Sequence, residues 1–390
     1  MITVEQALTR IFDLLTSLPA ETVALAEAAG RILAEPVSAT RDQPPFAASS
    51  MDGYAIRSED AVPGAHLTVI GESAAGHGFS GRLRAGQAIR IFTGAPVPDG
   101  ADTIVIQEDV VRTDDRIALQ DSPEFGSNIR PAGTDFMKGT TLPAPRRLSA
   151  SDLALLASMN IARVPVIRRP IVAMIATGDE LVMPGETPGP DQIIASNAYG
   201  LKALAEAAGA EVRLLPIARD TAASLKTAFE LADGADLVVT IGGASVGDHD
   251  IVGTVAQDLG MERAFYKVAM RPGKPLMAGR IRDMGLIGLP GNPVSAMVCG
   301  HIFLVPAIHA LLGFRRSPTP RKTATLACDT SANGPREHYM RAWVEDGKIT
   351  PKDRQDSSLL TVLADANALL VRPVDDPERP AGTLVEYIPL

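Results

Sequence analysis

The part of the chain that most constrains its fold runs from residue 170 to residue 313, where apolar runs alternate with amphipathic segments. This alternation predicts parallel strands joined by helices, because the strands of a parallel sheet are covered on both faces and are therefore apolar throughout. The predicted elements are a strand at Ile171–Ala176, a helix at Asn197–Gly209, a strand at Glu211–Ile217, a helix at Thr221–Asp233, and strands at Asp236–Ile241 and Leu286–Leu289. The sequence therefore predicts an α/β domain with a mostly parallel sheet over residues 170–315.

The rest of the chain divides into three further regions by its hydrophobic periodicity. Residues 1–40 and 138–169 are predicted to form a helical linking domain, because apolar side chains recur at helical spacing in Val4–Leu15, Val23–Leu33 and Ser149–Met159. Residues 41–137 contain short apolar runs broken by Gly, Pro and Asp, which predicts an inserted small β domain. Residues 316–390 contain four strand-like runs separated by turns, which predicts a C-terminal small β-barrel.

Charge and cysteine content narrow the classes of partner. The net charge is −9, and no Lys/Arg cluster alternates with aromatic residues, which argues against a nucleic acid or an anionic membrane as the main partner. Two cysteines in 390 residues provide neither a disulfide framework nor a thiolate metal cluster. The uncharged segment from Val294 to Phe314 is long enough to span a bilayer, but it follows a predicted strand and turn, so we expect a buried helix. A cytoplasmic location fits these features, and we expect no membrane span.

Polar residues follow each predicted parallel strand at its carboxyl end, the edge where open α/β sheets bind ligands. Thr177 to Glu180 follow the first strand, Arg219 and Asp220 follow the second, and Gly242 to Asp250 follow the third. A glycine-rich loop among carboxylates suits phosphate groups and a hard divalent cation. Asp179 and Asp220 have an alternative interpretation as helix N-caps, because caps are also common at such positions.

The fourth strand runs into Pro290-Gly291-Asn292-Pro293, a turn suited to an anion. Glycine allows close approach of a ligand to the backbone, and proline is favoured at the first helical position. Complementary positive charge is expected from the segment Lys267 to Pro275, although basic residues in such segments are often only solvated. In the β domain, residues 46–55 and 91–96 place polar groups beside glycine; the alternative there is two ordinary turns, with Asp52-Gly53 as a hairpin signal.

Six motifs give the chain a specific resemblance to a known family. They are SSMDGYA (49–55), IFTGAPVP (91–98), TGDEL (177–181), GGASVGDHD (242–250), RPGKP (271–275) and LPGNPVSA (289–296). In this order they resemble the molybdopterin molybdenumtransferase family, which includes the C-terminal domain of gephyrin, and the resemblance covers essentially the whole chain. It implies an enzyme of molybdenum cofactor biosynthesis that inserts molybdenum from molybdate into the dithiolene of adenylylated molybdopterin. It further implies release of AMP, a requirement for Mg²⁺ and a homodimer.

The resemblance also implies roles for residues of this chain. Those placed in catalysis are Asp52, Thr93, Glu180, Asp220, Asp248, Asp250, Lys267 and Lys274, and those placed at the metal are Glu180, Asp248 and Asp250. Those placed in substrate binding are Asp135, Gly242, Gly243, Ser245, Arg271, Pro290, Gly291, Asn292, Pro293, Ser295, Arg341 and Ser358. Arg271 departs from the family, which usually has Lys there; the charge is kept, but a planar fork replaces a point donor.

Two other functions remain open at this point. The first is adenylylation of molybdopterin, because that related transferase shares the α/β domain; it is also a possible partner of this protein. The additional domains argue against this function. The second is a non-catalytic scaffold, but the acids of the matched motifs are all present and no long disordered linker occurs.

Overall fold

The computed structural model describes residues 1–121, 123–243 and 251–390. It contains two compact units. The first combines residues 1–21 with residues 167–390, and the second consists of residues 22–166. The four domain boundaries predicted from the sequence stay a prediction.

The first unit contains the predicted α/β sheet. It has six strands, in the order Glu211–Leu214, Ile171–Ala176, Leu237–Ile241, Met284–Leu289, Met277–Ile281 and Glu262–Tyr266. The first four are mutually parallel, and Met277–Ile281 is antiparallel to both of its neighbours. Ile241 lies opposite Ala176 on one side and Leu289 on the other, so the carboxyl ends of three parallel strands coincide. This register brings the polar residues that follow the strands to one edge.

Helices cover this sheet, and a further helix lies at the start of the chain. Their bounds in the first unit are Val4–Leu14, Asn197–Ala208, Ala222–Leu231, Ile251–Asp258, Pro293–Cys299, Val305–Leu311 and Leu360–Ala364. The apolar segment Pro293–Leu311 has the length and composition of a membrane span, but 78% of it is buried within the protein, as expected for a core helix. It is not one regular α-helix, because a π-helical turn at Gly300–Leu304 interrupts it. Gly300 packs directly on Leu201 and Leu204 there, where a Cβ atom would lie within 3 Å of both side chains.

A closed five-stranded barrel confirms the prediction for the end of the chain. Around the barrel the strands are Glu337–Glu345, Lys348–Pro351, Lys322–Leu326, Leu384–Pro389 and Ala368–Arg372, which pairs back with the first. Ala324, Leu326, Ala342 and Leu370 contribute to its core. The short strand Met270–Arg271 adds to the barrel in parallel with Glu337–Glu345. The chain therefore passes from the edge of the barrel, at Met270–Arg271, into the α/β sheet, at Met277.

The second unit contains the predicted β domain. Its largest sheet has the order Thr103–Ile106, Gly53–Ile56, Gln87–Ile91, His66–Ser73, Arg116–Leu119 and Val110–Thr113. Two small pairs join Ala48–Ser49 to Ile129–Arg130 and Val37–Ser38 to Thr141–Leu142. A further sheet has the order Ala20–Ala24, Arg163–Ile167, Ile32–Leu33 and Arg146–Arg147.

Helices were predicted for three segments of the linking region, and for one of these segments the prediction is wrong. Val4–Leu14 is helical and begins with a capping box formed by Thr3 and Gln6, and Ala150–Ser158 begins with one formed by Ser149 and Asp152. The segment Val23–Leu33 instead forms parts of two strands with only a 3₁₀ turn at Leu25–Glu27 between them. Pairing of Ile32–Leu33 with two neighbouring strands buries both side chains, which outweighs the local helical preference.

Candidate functional site

A cavity of about 590 Å³ opens at the carboxyl edge of the α/β sheet. Its wall comes from the ends of three parallel strands, from the start of the helix Asn197–Ala208 and from the turn that begins at Pro290. The predicted site residues that line it are Glu180, Asp220, Gly242, Gly243, Pro290, Gly291, Asn292, Pro293 and Ser358. The structure therefore brings nine of the predicted residues to one cavity.

The floor of this cavity is held together by close backbone contacts. The Thr177 N–H donates to the carbonyl oxygen of Ile241, and the Gly242 N–H donates to that of Leu289. Gly242 and Gly243 have φ angles of +92° and +64°, and a Cβ atom on Gly242 would lie 2.8 Å from the carbonyl oxygen of Thr177. Only glycine tolerates both conditions without strain, so the loop after the third strand can lie against the loop after the first.

The charged side chains of the described cavity wall are Glu180 and Asp220, and both are acidic. The loop that carries Glu180 is fastened by Arg219, whose Nη1 donates to the carbonyl oxygens of Asp179 and Leu181 at 3.0 and 3.1 Å. The Asp179 carboxylate accepts a hydrogen bond from the Asp220 N–H at 3.2 Å. The two carboxylates make this part of the cavity wall negative, so they would repel an anionic ligand unless a cation neutralised them.

The helix-cap interpretation of Asp179 and Asp220 is wrong. The helix Ala222–Leu231 is capped by Thr221, whose hydroxyl accepts from the Ser224 N–H at 3.3 Å. Asp220 lies one residue earlier, exposed on the cavity wall, where its carboxylate is available to a ligand.

The turn from Pro290 to Pro293 is held from two sides. Asn197 Nδ2 donates to the carbonyl oxygen of Gly291 at 2.7 Å. On the other side, Asn292 Nδ2 donates to Ser357 Oγ at 3.1 Å, and the Val294 N–H donates to the carbonyl oxygen of Ser357 at 3.0 Å. Pro293 occupies the first helical turn, as predicted. The turn is thus positioned from one side by the α/β domain and from the other side by a loop of the barrel.

The same barrel loop surrounds a buried guanidinium group. The Arg341 side chain is fully buried, and its Nη2 donates to the carbonyl oxygens of Asp356 and Arg354 at 2.9 and 3.4 Å. Its Nε and Nη1 atoms have no hydrogen-bond partner among the described residues. Burial lowers the pKa of Arg341, Asp356 raises it, and the positive charge of Arg271 lowers it. Two unpartnered buried donors beside a second arginine are chemically complementary to an anion.

The other predicted basic residues and Ser295 do not line the cavity wall. Arg271 and Lys274 are exposed on either side of Pro272 and Gly273, and Lys267 Nζ lies 5.0 Å from the ring centre of Tyr266. Ser295 is buried inside the first turn of its helix. Their functional roles stay predictions.

In the second unit, Asp52 and Thr93 form a local pair. Asp52 Oδ1 accepts from the Thr93 N–H at 2.8 Å and from Thr93 Oγ1 at 2.9 Å. These bonds and the charge of Arg90 lower the pKa of the exposed Asp52 carboxyl. The hairpin interpretation of Asp52-Gly53 is wrong, because Gly53 begins a strand that pairs with Gln87–Ile91 and Thr103–Ile106. Asp135 is also exposed in this unit.

Three predicted site residues, Ser245, Asp248 and Asp250, lie outside the described residues, and so does His249. Within the described ranges there is no cluster of three or more His, Cys, Asp or Glu side chains suited to a metal ion. Of the predicted metal ligands, only Glu180 can therefore be placed, and it lies on the cavity wall with Asp220.

Sequence reasoning missed three residues that shape the site: Asn197, Ser357, and Arg219 as a loop anchor. Asn197 lies at the start of a predicted helix on the ligand-binding edge, which is a signal that could have identified it. Ser357 has no local signal, because the barrel fold alone brings it to the site.

Comparison with known proteins defines the class to which this fold and cavity belong. Residues 173–310 match the family model for a probable molybdopterin binding domain. Residues 2–160 match the MoeA N-terminal region, domains I and II, and residues 323–390 match the MoeA C-terminal region, domain IV. The chain is thus a multidomain protein whose α/β domain matches the probable molybdopterin binding domain family.

Relatives identify the family within that class. The chain is 37% identical to a molybdopterin molybdenumtransferase of Nostoc sp., over 94% of this chain and 88% of that protein. It is 34% identical to the one of Bacillus subtilis, over 95% and 90%. A molybdopterin biosynthesis MoeA protein from Pyrococcus horikoshii has the same fold, with a TM-score of 0.87 and 32% identity over 100% of this chain and 99% of that one. The chain belongs to the molybdopterin molybdenumtransferase family.

Proposed function

We propose that this protein inserts molybdenum into molybdopterin. It takes molybdate and adenylylated molybdopterin, transfers molybdenum to the dithiolene and releases AMP, with Mg²⁺ required. The observation that carries the proposal is the buried Arg341 guanidinium, whose Nε and Nη1 atoms have no partner among the described residues. A tetrahedral oxyanion such as molybdate would supply the missing acceptors.

The cavity suits the adenylylated substrate. Its volume of about 590 Å³ falls within the range of about 300–1,000 Å³ that is usual for small-molecule sites. Ser358 lies on the cavity wall, and its hydroxyl donates to the carboxylate of Asp356, the residue whose carbonyl oxygen binds Arg341. One barrel loop therefore connects the cavity with the buried arginine, which supports molybdate binding beside the pterin end of the substrate.

Mg²⁺ fits the donor set of the cavity. Glu180 and Asp220 provide carboxylate oxygens, the ligands that Mg²⁺ prefers, and the described wall provides no Lys or Arg to neutralise a pyrophosphate. Glu180 would hold the ion together with Asp248 and Asp250. When bound, Mg²⁺ would neutralise and polarise phosphate oxygens.

The residues of the chain would mainly position and stabilise the reactants. The turn from Pro290 to Pro293 and the glycine loop fix the substrate against the sheet edge, and the basic groups Arg271, Lys274 and Arg341 hold the oxyanion. Lys267 would assist in catalysis, and Asp52, Thr93 and Asp135 would have the catalytic and substrate-binding roles that the family resemblance implies. The chain would act as a homodimer in the cytoplasm, receiving its substrate from a molybdopterin adenylyltransferase.

Reconstitution tests the function. The protein is incubated with adenylylated molybdopterin, molybdate and Mg²⁺, and AMP and active cofactor are measured. We expect both products only when all three components are present. Formation of adenylylated molybdopterin from ATP and molybdopterin would instead favour the adenylyltransferase function, and absence of either reaction would favour a scaffold.

A further inference from the structure

One part of the wall of the sheet-edge cavity is apolar and open to solvent. Ile193 and Ile194 both line this cavity, and they are 58% and 37% exposed. They form a short strand parallel to Leu181–Val182, in which Ile193 lies opposite Leu181, and Leu181 also lines the cavity. We call the side chains of Leu181, Ile193 and Ile194 the apolar ledge. A ligand that covers this ledge gains free energy, because apolar surface is removed from water.

The apolar ledge is fixed beside one of the two acids of the described cavity wall. The Ile193 N–H donates to the carbonyl oxygen of Glu180 at 2.7 Å, and the Ala195 N–H donates to that of Val182 at 2.9 Å. Glu180 and the ledge therefore lie next to each other on two bonded strands. A ligand that contacts both carries an apolar group close to a group that a cation can join to the carboxylate.

The ledge and the barrel loop reach the turn at different residues. The chain continues from the ledge to Asn197, whose side chain donates to the carbonyl oxygen of Gly291 at 2.7 Å. The barrel loop bonds to the next residue of the turn, because Asn292 donates to Ser357 at 3.1 Å. Since the proposed molybdate site belongs to the barrel loop, the dithiolene end of the substrate lies towards that loop. The ledge is then available to the opposite end of the substrate, beyond the pyrophosphate.

We propose that the apolar ledge binds the adenine ring of the adenylylated substrate. The inference rests on the proposed function, because it assigns one part of that substrate to one part of the cavity wall. The flat faces of a purine are apolar, and aliphatic side chains pack against them. Residues 193–195 are Ile, Ile and Ala, so their side chains provide no hydrogen-bonding group for the edge of a base. The ledge therefore contributes affinity through contact with the face of the ring.

Calorimetric titration of the full-length protein with AMP in the presence of Mg²⁺ tests this inference. A parallel titration uses ribose 5-phosphate, which has the sugar and the phosphate of AMP but no base. The variants are Ile193→Ser, which removes most of the apolar side chain, and Ile193→Val, which keeps most of it. The matched control is Ile70→Ser, which changes an isoleucine of the second unit that is also exposed, at 37%.

The expected effect is confined to the ligand that carries a base. We expect the Kd for AMP to rise about fivefold or more in Ile193→Ser, since apolar contact area is lost, while Ile193→Val and Ile70→Ser remain near wild type. The Kd for ribose 5-phosphate should not change in any variant. Because Ile193 is more than half exposed, Ile193→Ser should fold normally, which urea unfolding checks.

The outcomes separate this inference from the function on which it rests. If the wild-type protein binds AMP and Ile193→Ser binds it equally well, the adenylylated substrate stands and the ledge is not the site of its base. An equal loss of affinity for AMP and for ribose 5-phosphate would also overturn the inference, because the effect would then not depend on the base. If the wild-type protein binds no AMP, the adenylylated substrate of the proposed function fails together with the inference.

A second measurement locates the ring directly. In wild-type protein labelled with ¹³C at the isoleucine δ1-methyl groups, the resonances of Ile193 and Ile194 should shift when AMP is added, because a stacked ring changes the local magnetic field. Ile193→Ser and Ile194→Ser identify these two resonances by their loss. Ribose 5-phosphate should leave both resonances in place. If neither resonance moves at saturating AMP, the proposal is overturned.

Discussion

The side-chain amide of Asn197 donates a hydrogen bond of 2.7 Å to the carbonyl oxygen of Gly291, and thereby ties the first turn of a helix to the turn that closes the cavity. Both residues line the cavity. The bond spans 94 positions of sequence and lies on an exposed surface, so it contributes little to the stability of the fold. Its main effect is to fix the position of the Gly291 peptide on the cavity wall.

Replacement of Asn197 should therefore affect substrate binding more than folding. We expect Asn197→Ala to reduce the free energy of unfolding by about 1 kcal/mol or less and to raise KM for adenylylated molybdopterin several-fold. The matched control is Asn367→Ala, which removes an amide that bonds to Val344 in the barrel. Steady-state AMP release and urea unfolding check both variants. An unchanged KM in Asn197→Ala would show that the turn holds its position without this bond.

Two glycines of the cavity should respond differently to alanine. A Cβ atom on Gly291 would meet only the Cα of Gly242, at an ordinary distance of 3.5 Å, whereas Gly242 combines a positive φ with a clash against Thr177. We expect Gly291→Ala to fold normally but to bind substrate more weakly, because the methyl group projects into space that the ligand needs. Gly242→Ala should lower the unfolding free energy by at least about 1–3 kcal/mol. Thermal unfolding and substrate titration distinguish the two, and equal stability losses would contradict the assignment of Gly291 to the ligand surface.

Much of this site follows from the sequence, and the physical reasons are specific. Strand ends are predictable where apolar runs stop at polar residues, so Glu180, Asp220 and the turn from Pro290 to Pro293 fall on the expected edge. Arg341 could be proposed only through family resemblance, because nothing local in its strand indicates an anion. Its burial, and that of His338, depends on barrel closure and on pairing with distant strands. The segment Val23–Leu33 shows the converse case, in which helical spacing was present but distant strand pairing determined the structure.

The Asp52–Thr93 pair predicts a change in ionisation that can be measured directly. Two hydrogen bonds from Thr93, one from its backbone and one from its side chain, lower the pKa of Asp52. Thr93→Val removes the hydroxyl donor but keeps the backbone donor, so the pKa of Asp52 should rise partway towards its ordinary value. Thr93→Ser should leave that pKa nearly unchanged. Carboxyl ¹³C NMR titration provides the measurement, and identical titration curves for the two variants would refute the role of the hydroxyl.

Two histidines, the buried His338 and the partly buried His301, predict a loss of stability in mild acid. The pKa values of His301 and His338 are both lowered to about 4, in each case mainly by burial, from an ordinary value of 6.5. The unfolded chain then binds protons that the folded chain excludes, so stability is complete above about pH 6.5 and falls as the pH decreases towards 4. Each histidine should account for a loss on the order of 3 kcal/mol across this window.

Urea unfolding at a series of pH values checks the loss of stability. The variants His301→Gln and His338→Gln should each flatten the dependence between about pH 6.5 and pH 4. His77→Gln, at an exposed position, should leave it unchanged. Carboxylates whose pKa values are lowered in the folded protein, such as Asp376 and Asp152, cause a further loss of stability, mainly below this pH range. A curve that stays flat down to pH 4 would contradict the lowered pKa values of both imidazoles.

The most buried ion pair of the described barrel region joins Arg372 to Asp376, which is 4% exposed at its side chain. Its carboxylate accepts from Arg372 at 2.5 Å and from Arg379 at 2.6 Å, and the Arg372 side chain is only 2% exposed. Removing the acid leaves a buried guanidinium without its counter-charge, so Asp376→Ala should cost about 3–5 kcal/mol of unfolding free energy. Glu386→Ala is the matched control, because Glu386 pairs with Arg321 but is 57% exposed, and its loss should cost about 1 kcal/mol or less. Urea unfolding measures both, and similar losses in the two variants would mean that solvent reaches Arg372 when its partner is removed.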